Sequence, residues 1–399
     1  MNWTIFFLML PHLKPKCLDI IWPELYRGLD VLRILSLLVL VAMFLRRFVR
    51  EKKLPSPVSW MLAVLEGWIC LNALLKKGDY IEVFSIAVSV MAVTLLIDYY
   101  SALMQELLTA LMLNYEWIVY ANLISVIAGM CGKTVLDPDY DWIRIYFFGP
   151  DNWFMYLCIP AVCIALMYLR LQFAVGKIRS SILRSGCLIA VSYATVILTW
   201  PATAVVSMAI LGFVALLGLI PSVQRCITFP VALVCGLAAN LSISVFRVAE
   251  AVPMLADFIQ IRLKKNITFS GRTYVWDSFW EQMSGHLWTG IGNPAEGYYL
   301  ANRAYDHIHN QYYDMLALGG IIALGLFLGV LLLSGWKLTH YKKTWSARIM
   351  TAVMSALLIM CIPEVLRNGT IYLIFPLAFH VDKLEFFCQK MMTEEADES

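Results

Sequence analysis

The sequence predicts an all-α polytopic integral membrane protein of about 11–12 transmembrane helices, with one long external loop that carries short helices. Three observations predict it. Hydrophobic residues make up 60% of the 399 positions and charged residues only 15%, against roughly 25% charged in soluble domains. Mean hydropathy is +0.72. Apolar runs of spanning length recur along nearly the whole chain, and one polar stretch, 270–320, interrupts them. The net charge of +3 is too small to imply a nucleic-acid partner.

In chain order, residues 3–12 form an apolar start ended by Pro11, a short span or a half-helix. Met1 to Leu10 lacks the basic region and small-residue cleavage site of a signal peptide, so none is expected. Spans follow at 29–45, 57–75, 81–98, 104–130, 152–170, 182–199, 202–220, 227–246, 312–334, 347–362 and 367–382. Trp200-Pro201 separates two of them and predicts a tight hairpin, because proline resists continuing a helix. The chain thus divides into N-terminal transmembrane helices (1–246), an external catalytic loop (247–311) and C-terminal transmembrane helices (312–383). The acidic end, 384–399, is expected to be a disordered cytoplasmic tail. The ten scattered cysteines contain no C-x-x-C pair, which argues against a zinc site or disulfide framework and for buried thiols acting as small hydrophobes.

Basic residues set the orientation. Arg46, Arg47, Arg50, Lys52 and Lys53 follow the 29–45 span and are placed in the cytoplasm. Alternation then puts Arg170, Lys177, Arg179, Arg184, Arg225, Lys337, Lys342, Lys343, Arg348, Lys383 and Lys390 on the same side. Both termini fall in the cytoplasm and the polar stretch outside. Chemistry on that face has no ATP or nucleotide sugar to draw on, so its substrate must arrive activated.

Within the polar stretch, Ser270 is a fair N-cap, and Trp276, Trp280 and Met283 recur at helical spacing until Gly285. Arg272 then stands in the first helical turn, where a cation is disfavoured because the helix end is already partly positive. A guanidinium beside free backbone N–H groups suits a phosphate or diphosphate. The competing reading is an interfacial helix whose tryptophans sit at headgroup level and whose arginine meets lipid phosphates. Further on, Asp306-His307-Ile308-His309-Asn310 precedes the span at 312. A histidine entering a helix is disfavoured as a cation, so it is neutral near pH 7 and able to act as a general base. His307 and His309 also read as metal ligands, but an H-x-H pair without further ligands is weak, and no metal or cofactor is expected. His286 reads as interfacial. Gly290-Ile291-Gly292 is a turn cluster and no complete phosphate loop. Glu364, beside Pro363, reads as a carboxylate that orients an acceptor sugar or as a solvated loop end. Asn152 faces a polar cavity or caps a helix.

Gly271-Arg272 followed by Trp276, Gly290-x-Gly292, His307-x-His309-Asn310 and Gly319-Gly320 resemble, in order and spacing, the O-antigen ligase and polymerase superfamily. Phe148-Gly149 with Asn152 is similar to an upstream asparagine motif of its capsule and exopolysaccharide polymerases. The resemblance implies metal-independent glycosyl transfer on the outer face of the bacterial inner membrane, from an oligosaccharide on undecaprenyl diphosphate. It implies that Arg272 binds the diphosphate and His309 deprotonates the acceptor hydroxyl. Substrate contacts are then expected from His307, Asn310, Trp276, Asn152, Arg303 and Glu364. The partners are the lipid-linked oligosaccharide, membrane lipid, a repeat-unit flippase and a chain-length regulator. One departure stands out. The family usually has a Ser-Arg pair early in a middle span, whereas Thr199 is followed here by Trp200-Pro201-Ala202-Thr203. A second diphosphate-binding cation is then expected from Arg247, Arg262, Lys264, Lys265, Arg303 or Arg367. The expected activity is repeat-unit polymerisation; the alternatives are ligation to lipid A core and, from another class, transport of a lipid-linked glycan. Against transport, the polar groups gather in an outer loop rather than at the midplane.

Overall fold

The structure, a computed structural model, describes residues 2–133, 135–138, 143–262, 266–268, 271–300, 303–305 and 307–398. Among the described residues, seven helices are long and apolar enough to cross a membrane: Pro23–Glu51, Pro57–Leu75, Tyr80–Tyr100, Met104–Met130, Asp151–Ala174, Ile178–Thr199 and Gln311–His340. Five shorter apolar helices accompany them: Trp3–Leu13, Ala202–Leu217, Phe229–Val245, Trp345–Met360 and Gly369–Phe379. Among the described residues, strand structure is confined to two small antiparallel hairpins in loops, Val135–Leu136 with Arg144–Ile145 and Tyr298–Leu300 with Arg303–Tyr305. An all-α multi-pass membrane protein is what the composition demands, since helices satisfy their own backbone groups in lipid.

Packing centres on the helix Phe154–Ala174, buried along most of its length against Met104–Met130, Ile178–Thr199, Ala202–Leu217 and Trp345–Met360. Beside it, Arg184 grips Glu116 with two bonds of 2.6 Å each. Trp200 takes a left-handed conformation (φ 56°), which turns the chain between Thr199 and Ala202 as the Trp-Pro pair predicts.

Several expected boundaries shift. The 29–45 span extends to Pro23–Glu51, with proline at its first turn and left-handed Lys52 at its end. The 227–246 span is an α-helix only over Phe229–Asn240 and widens into a π-turn, Leu241–Val245. The 367–382 span is a 3₁₀ turn, Gly369–Leu373, and a short helix, Ile374–Phe379. The acidic tail requires correction: Val381–Glu398 is a helix. Leu384 and Cys388, four residues apart, are buried, and Glu385 accepts from Ser346 N (3.1 Å) and Arg170 (3.3 Å), so the helix starts on docked ground that acidity alone does not reveal. Cysteine burial also divides: five are buried, while Cys187 and Cys235 face outward from apolar helices, where lipid is as apolar as a core.

The feature that positions the functional loop lies in Gln311–His340. At Gly319 and Gly320 the backbone leaves the helical region, Gly320 at φ 67°, ψ −161°. Carbonyls freed there need partners. Trp68 Nε1 donates to Gly319 O (2.9 Å) and Asn72 Nδ2 to Leu318 O (2.6 Å), both from the helix Pro57–Leu75. Ile291 N and Gly292 N donate to Ala317 O at 2.7 and 2.9 Å, and Ile321 N to Leu287 O at 2.9 Å. The Gly290–Gly292 turn is thereby seated in the break. A Cβ on Gly320 would strike the Trp288 carbonyl, and one on Gly290 the Ala317 carbonyl. Asn72 closes the joint by also donating to Thr289 O (2.8 Å).

Asn72→Ala leaves one buried carbonyl, Leu318 O, and one half-buried carbonyl, Thr289 O, short of a donor. It is expected to lower the unfolding free energy in detergent by about 1–3 kcal/mol and to loosen the external loop to limited proteolysis. An unchanged unfolding midpoint and cleavage pattern would show that the joint is not held this way.

Candidate active site

Arg272 owes its position to Gly271; Ser270, expected as the N-cap, lies outside the described residues. Gly271 is the N-cap, left-handed at φ 89°, and Arg272 is the first residue of the helix Arg272–Gln282. The buried face of this helix is Thr273, Val275, Trp276 and Phe279, continued by Met283. Trp280, expected on that stripe, is 44% exposed; Phe279 takes its place and stacks on Tyr313 at 5.3 Å. Trp276 meets Tyr313 edge-on and donates Nε1 to Ile308 O at 3.1 Å. The helix that presents Arg272 is therefore pinned to the histidine segment.

In that segment Ile308 is fully buried, with its N–H directed at Asp314 Oδ1 (3.5 Å). His307 and His309 flank it with their rings 4.2 Å apart. His309 sits in the left-handed region at φ 54°, a strained conformation for a non-glycine residue that is found preferentially at functional sites. Asn310, expected at the substrate, is fully buried and caps the next helix: its Oδ1 accepts from Tyr312 N (3.0 Å) and Tyr313 N (3.2 Å), while Nδ2 donates to Asn240 Oδ1 (2.8 Å). Asp306 lies outside the described residues. Arg303 opens the second strand of the loop hairpin, and its side chain is likewise outside the description.

A third segment completes the site. Gln311 N donates to Cys361 O (2.9 Å), and Gln311 Oε1 accepts from Leu366 N (2.5 Å). Tyr156 OH donates to Val365 O (2.5 Å). Held between these anchors, Glu364 is 2% exposed. Its Oε1 pairs with Arg272, and its Oε2 stands 3.9 Å from His309 Nδ1. Burial pushes the Glu364 pKa up, but the charges of Arg272 and His309 outweigh burial and hold it below the usual carboxylate range. His309 Nδ1 is buried with no hydrogen-bond partner among the described residues, so the ring is aimed at Glu364 without being locked. Burial, aided by the charges of His309, Arg367 and Arg272, pushes the His307 pKa well below 6.5.

Arg272, Trp276 and Glu364 form one wall of a cavity of about 610 Å³, within the range of small-ligand sites. Asn152 also lines it, as do Trp200 to Thr203. His309 is not part of the wall; it meets the cavity through Glu364. Of the cations expected to supplement Arg272, Arg247 is engaged with Asp277 (2.5 Å) and Glu250, and Arg367 with Glu82, Asp314 and Asn293. Arg262 is exposed, and Lys264 and Lys265 lie outside the described residues. Lys16 instead lines the cavity, its Nζ 2.6 Å from Asp19. Sequence reasoning missed Lys16 and Gln311. Lys14-Pro15-Lys16 between apolar runs was the available signal for the first, and nothing local marks the second.

The arrangement places a guanidinium at a helix start, a buried carboxylate and an imidazole in contact around one cavity. His307, His309 and Glu364 also offer three ligand atoms within 4.8 Å of one another. Their donor types suit a divalent cation, but Arg272 already sets a positive charge on the same carboxylate.

Residues 179–328 match a family model described as O-Antigen ligase. The match contains Arg272, Trp276 and His307 to Asn310; Glu364, Asn152 and Lys16 lie beyond it. No curated protein matches the chain.

His307 binds its proton less readily folded than unfolded. The unfolded chain therefore takes up a proton that the folded one refuses, and stability falls as pH drops below about 6.5. His307→Gln is expected to flatten the unfolding midpoint between about pH 7 and pH 5 relative to wild type. Parallel profiles would show that His307 is not held neutral.

Proposed function

We propose, from the match of residues 179–328 to a family model described as O-Antigen ligase, that the chain polymerises undecaprenyl-diphosphate-linked oligosaccharide repeat units on the outer face of the bacterial inner membrane. The observation that carries this reading is the meeting of Arg272, Glu364 and His309 beside the 610 Å³ cavity. These three come from separate segments and supply what such a transfer needs.

The acceptor hydroxyl oxygen bonds to the anomeric carbon of the donor sugar, the bond from that carbon to the phosphate oxygen breaks, and the lipid diphosphate departs. Arg272 and the first N–H groups of its helix stabilise the charge that develops on the diphosphate. Lys16, at the same cavity, faces the second phosphate. The acceptor proton goes to His309, whose Nδ1 is turned to Glu364, leaving Nε2 for the hydroxyl. Glu364, already a carboxylate, then stabilises the imidazolium and holds Arg272 in register. Asn152 lines the cavity, which supports a polymerase over a ligase because it belongs to the motif that resembles polymerases. A repeat-unit flippase and a chain-length regulator are the partners that this activity requires.

Purified protein in detergent with a synthetic undecaprenyl-diphosphate repeat unit is expected to yield a ladder of longer products. His309→Ala should abolish the ladder in protein that still elutes as a single species. Arg272→Lys should slow it by about 100-fold, because an ammonium cannot make paired contacts. Lys16→Gln should raise the donor KM. No ladder from the wild type, together with movement of the same lipid across vesicles, would replace the enzyme with a transporter.

The His307–His309–Glu364 donor set motivates one further check. The ladder is expected to survive EDTA. Loss with EDTA and recovery with a divalent cation would assign those three residues to a metal and overturn the metal-free mechanism.

A further inference from the structure

A second cavity, of about 340 Å³, opens on the face of the bundle away from the active site. The helix Gln311–His340 relates the two faces. Gln311 belongs to the active site at its start, and Lys337, twenty-six residues later, lines the second cavity. That separation is roughly 40 Å of helix, the thickness of a bilayer with its headgroups.

Four cations line this cavity, Arg47, Lys53, Lys337 and Lys383, against two carboxylates, Asp98 and Asp382. The carboxylates are already committed. Asp98 accepts from His380 Nε2 (2.5 Å), Ser56 N (2.5 Å) and Ser59 Oγ (2.8 Å), and Asp382 pairs with Lys337 at 2.5 Å. Arg47 and Lys53 share a single outlying carboxylate, Glu51, at 3.5 and 3.2 Å. Lys383 donates to Ser101 Oγ at 2.7 Å and, among the described residues, has no carboxylate within 4.0 Å. Burial lowers the Lys383 pKa, and although Asp98 and Asp382 counter it, the charges of Arg47 and Lys337 add to the burial. Positive charge is therefore left uncompensated in a recess. The positive end of the helix Pro57–Leu75 points there too, since Ser56 and Pro57 are part of the wall.

The remaining walls are apolar: Phe44, Leu54 and Phe379. Leu45 and Phe48, next to Phe44 on Pro23–Glu51, are exposed on the surface of a membrane-spanning helix. The recess thus sits where acyl chains give way to headgroups, with cations inside and apolar groups at its edge.

We infer that this recess binds a phosphate group, carried by an anionic phospholipid headgroup or by a soluble phosphate on that face. Lys383 and Lys337 contact the phosphate oxygens, with Arg47 and Lys53 closing over them. This inference stands apart from the glycosyl-transfer reading, since it uses no residue of the active site.

The test uses the full-length protein, delipidated in neutral detergent, with unfolding midpoints and native mass spectrometry as readouts. Three probes are compared: phosphatidylglycerol, zwitterionic phosphatidylcholine and inorganic phosphate. Phosphatidylglycerol is expected to bind and stabilise the wild type, and the Lys337→Gln, Lys383→Gln double variant to weaken it by roughly tenfold or more. Lys390→Gln, an exposed basic position outside the recess, should bind as wild type does, and Lys383→Arg should retain binding. Stabilisation by phosphatidylglycerol alone assigns a lipid headgroup. Stabilisation by inorganic phosphate that competes with the lipid and is lost in the double variant assigns a soluble phosphate. Should the double variant not fold, a photoactivatable phosphatidylglycerol on wild-type protein is expected to label 44–57 and 379–383. Equal binding of phosphatidylcholine, undiminished binding in a folded double variant, or label spread evenly over the outward helix faces would overturn the inference.

Discussion

In an apolar bundle a backbone carbonyl without a donor is expensive, and the break at Gly319–Gly320 creates several at once. The structure answers them with Trp68 and Asn72 from a neighbouring helix and with the N–H groups of the Gly290–Gly292 turn. That exchange anchors one end of the loop at 247–311 to the helical bundle. The loop's other anchor is Trp276, whose indole N–H meets Ile308 O beside the cap that starts the same helix. The two anchors tie the described part of the loop to the bundle, and His307, His309 and Arg272 take positions set by it.

Electrostatics at the site follows from this geometry. Desolvation alone raises the pKa of a buried Glu364; Arg272, with the His309 ring beside it, holds it below the usual carboxylate range, and Gln311 and Tyr156 fix the loop that carries it. Arg272, in turn, stands at a helix start that repels it, so its place depends on the carboxylate. In the proposed reaction, an arriving diphosphate offers the same guanidinium a second anionic partner. The opposite face of the bundle has its own surplus of cations, and the two basic regions are kept apart by the length of a single helix.

Local rules read much of this correctly. The hydropathy of the spans, the Trp-Pro hairpin, the helix beginning at Arg272 and the one beginning beside Asn310 are all consequences of near neighbours in sequence. They missed where two local solutions competed. Ser270 and Gly271 both satisfy cap statistics, and the left-handed glycine is the one at the N-cap. Trp280 and Phe279 both continue an apolar stripe from Trp276 and both meet Tyr313, but Phe279 is the one enclosed while Trp280 stays partly exposed. The acidic tail reads as disordered on composition, yet Glu385 finds partners on Arg170 and Ser346 and Leu384 and Cys388 are buried, none of which composition can register.

The sequence by itself determined the helical membrane class, the single polar region and the two residue types suited to a phosphate and a proton, because hydropathy and helix-end chemistry act over a few residues. Only the tertiary structure decided that Glu364 joins Arg272 to His309, that Asn310 is enclosed as a cap, and that Lys16 reaches the cavity left without an arginine at Trp200 to Thr203. Those outcomes join segments tens to hundreds of residues apart. Their partners are chosen by which helices pack together, and no local pattern of residues carries that information.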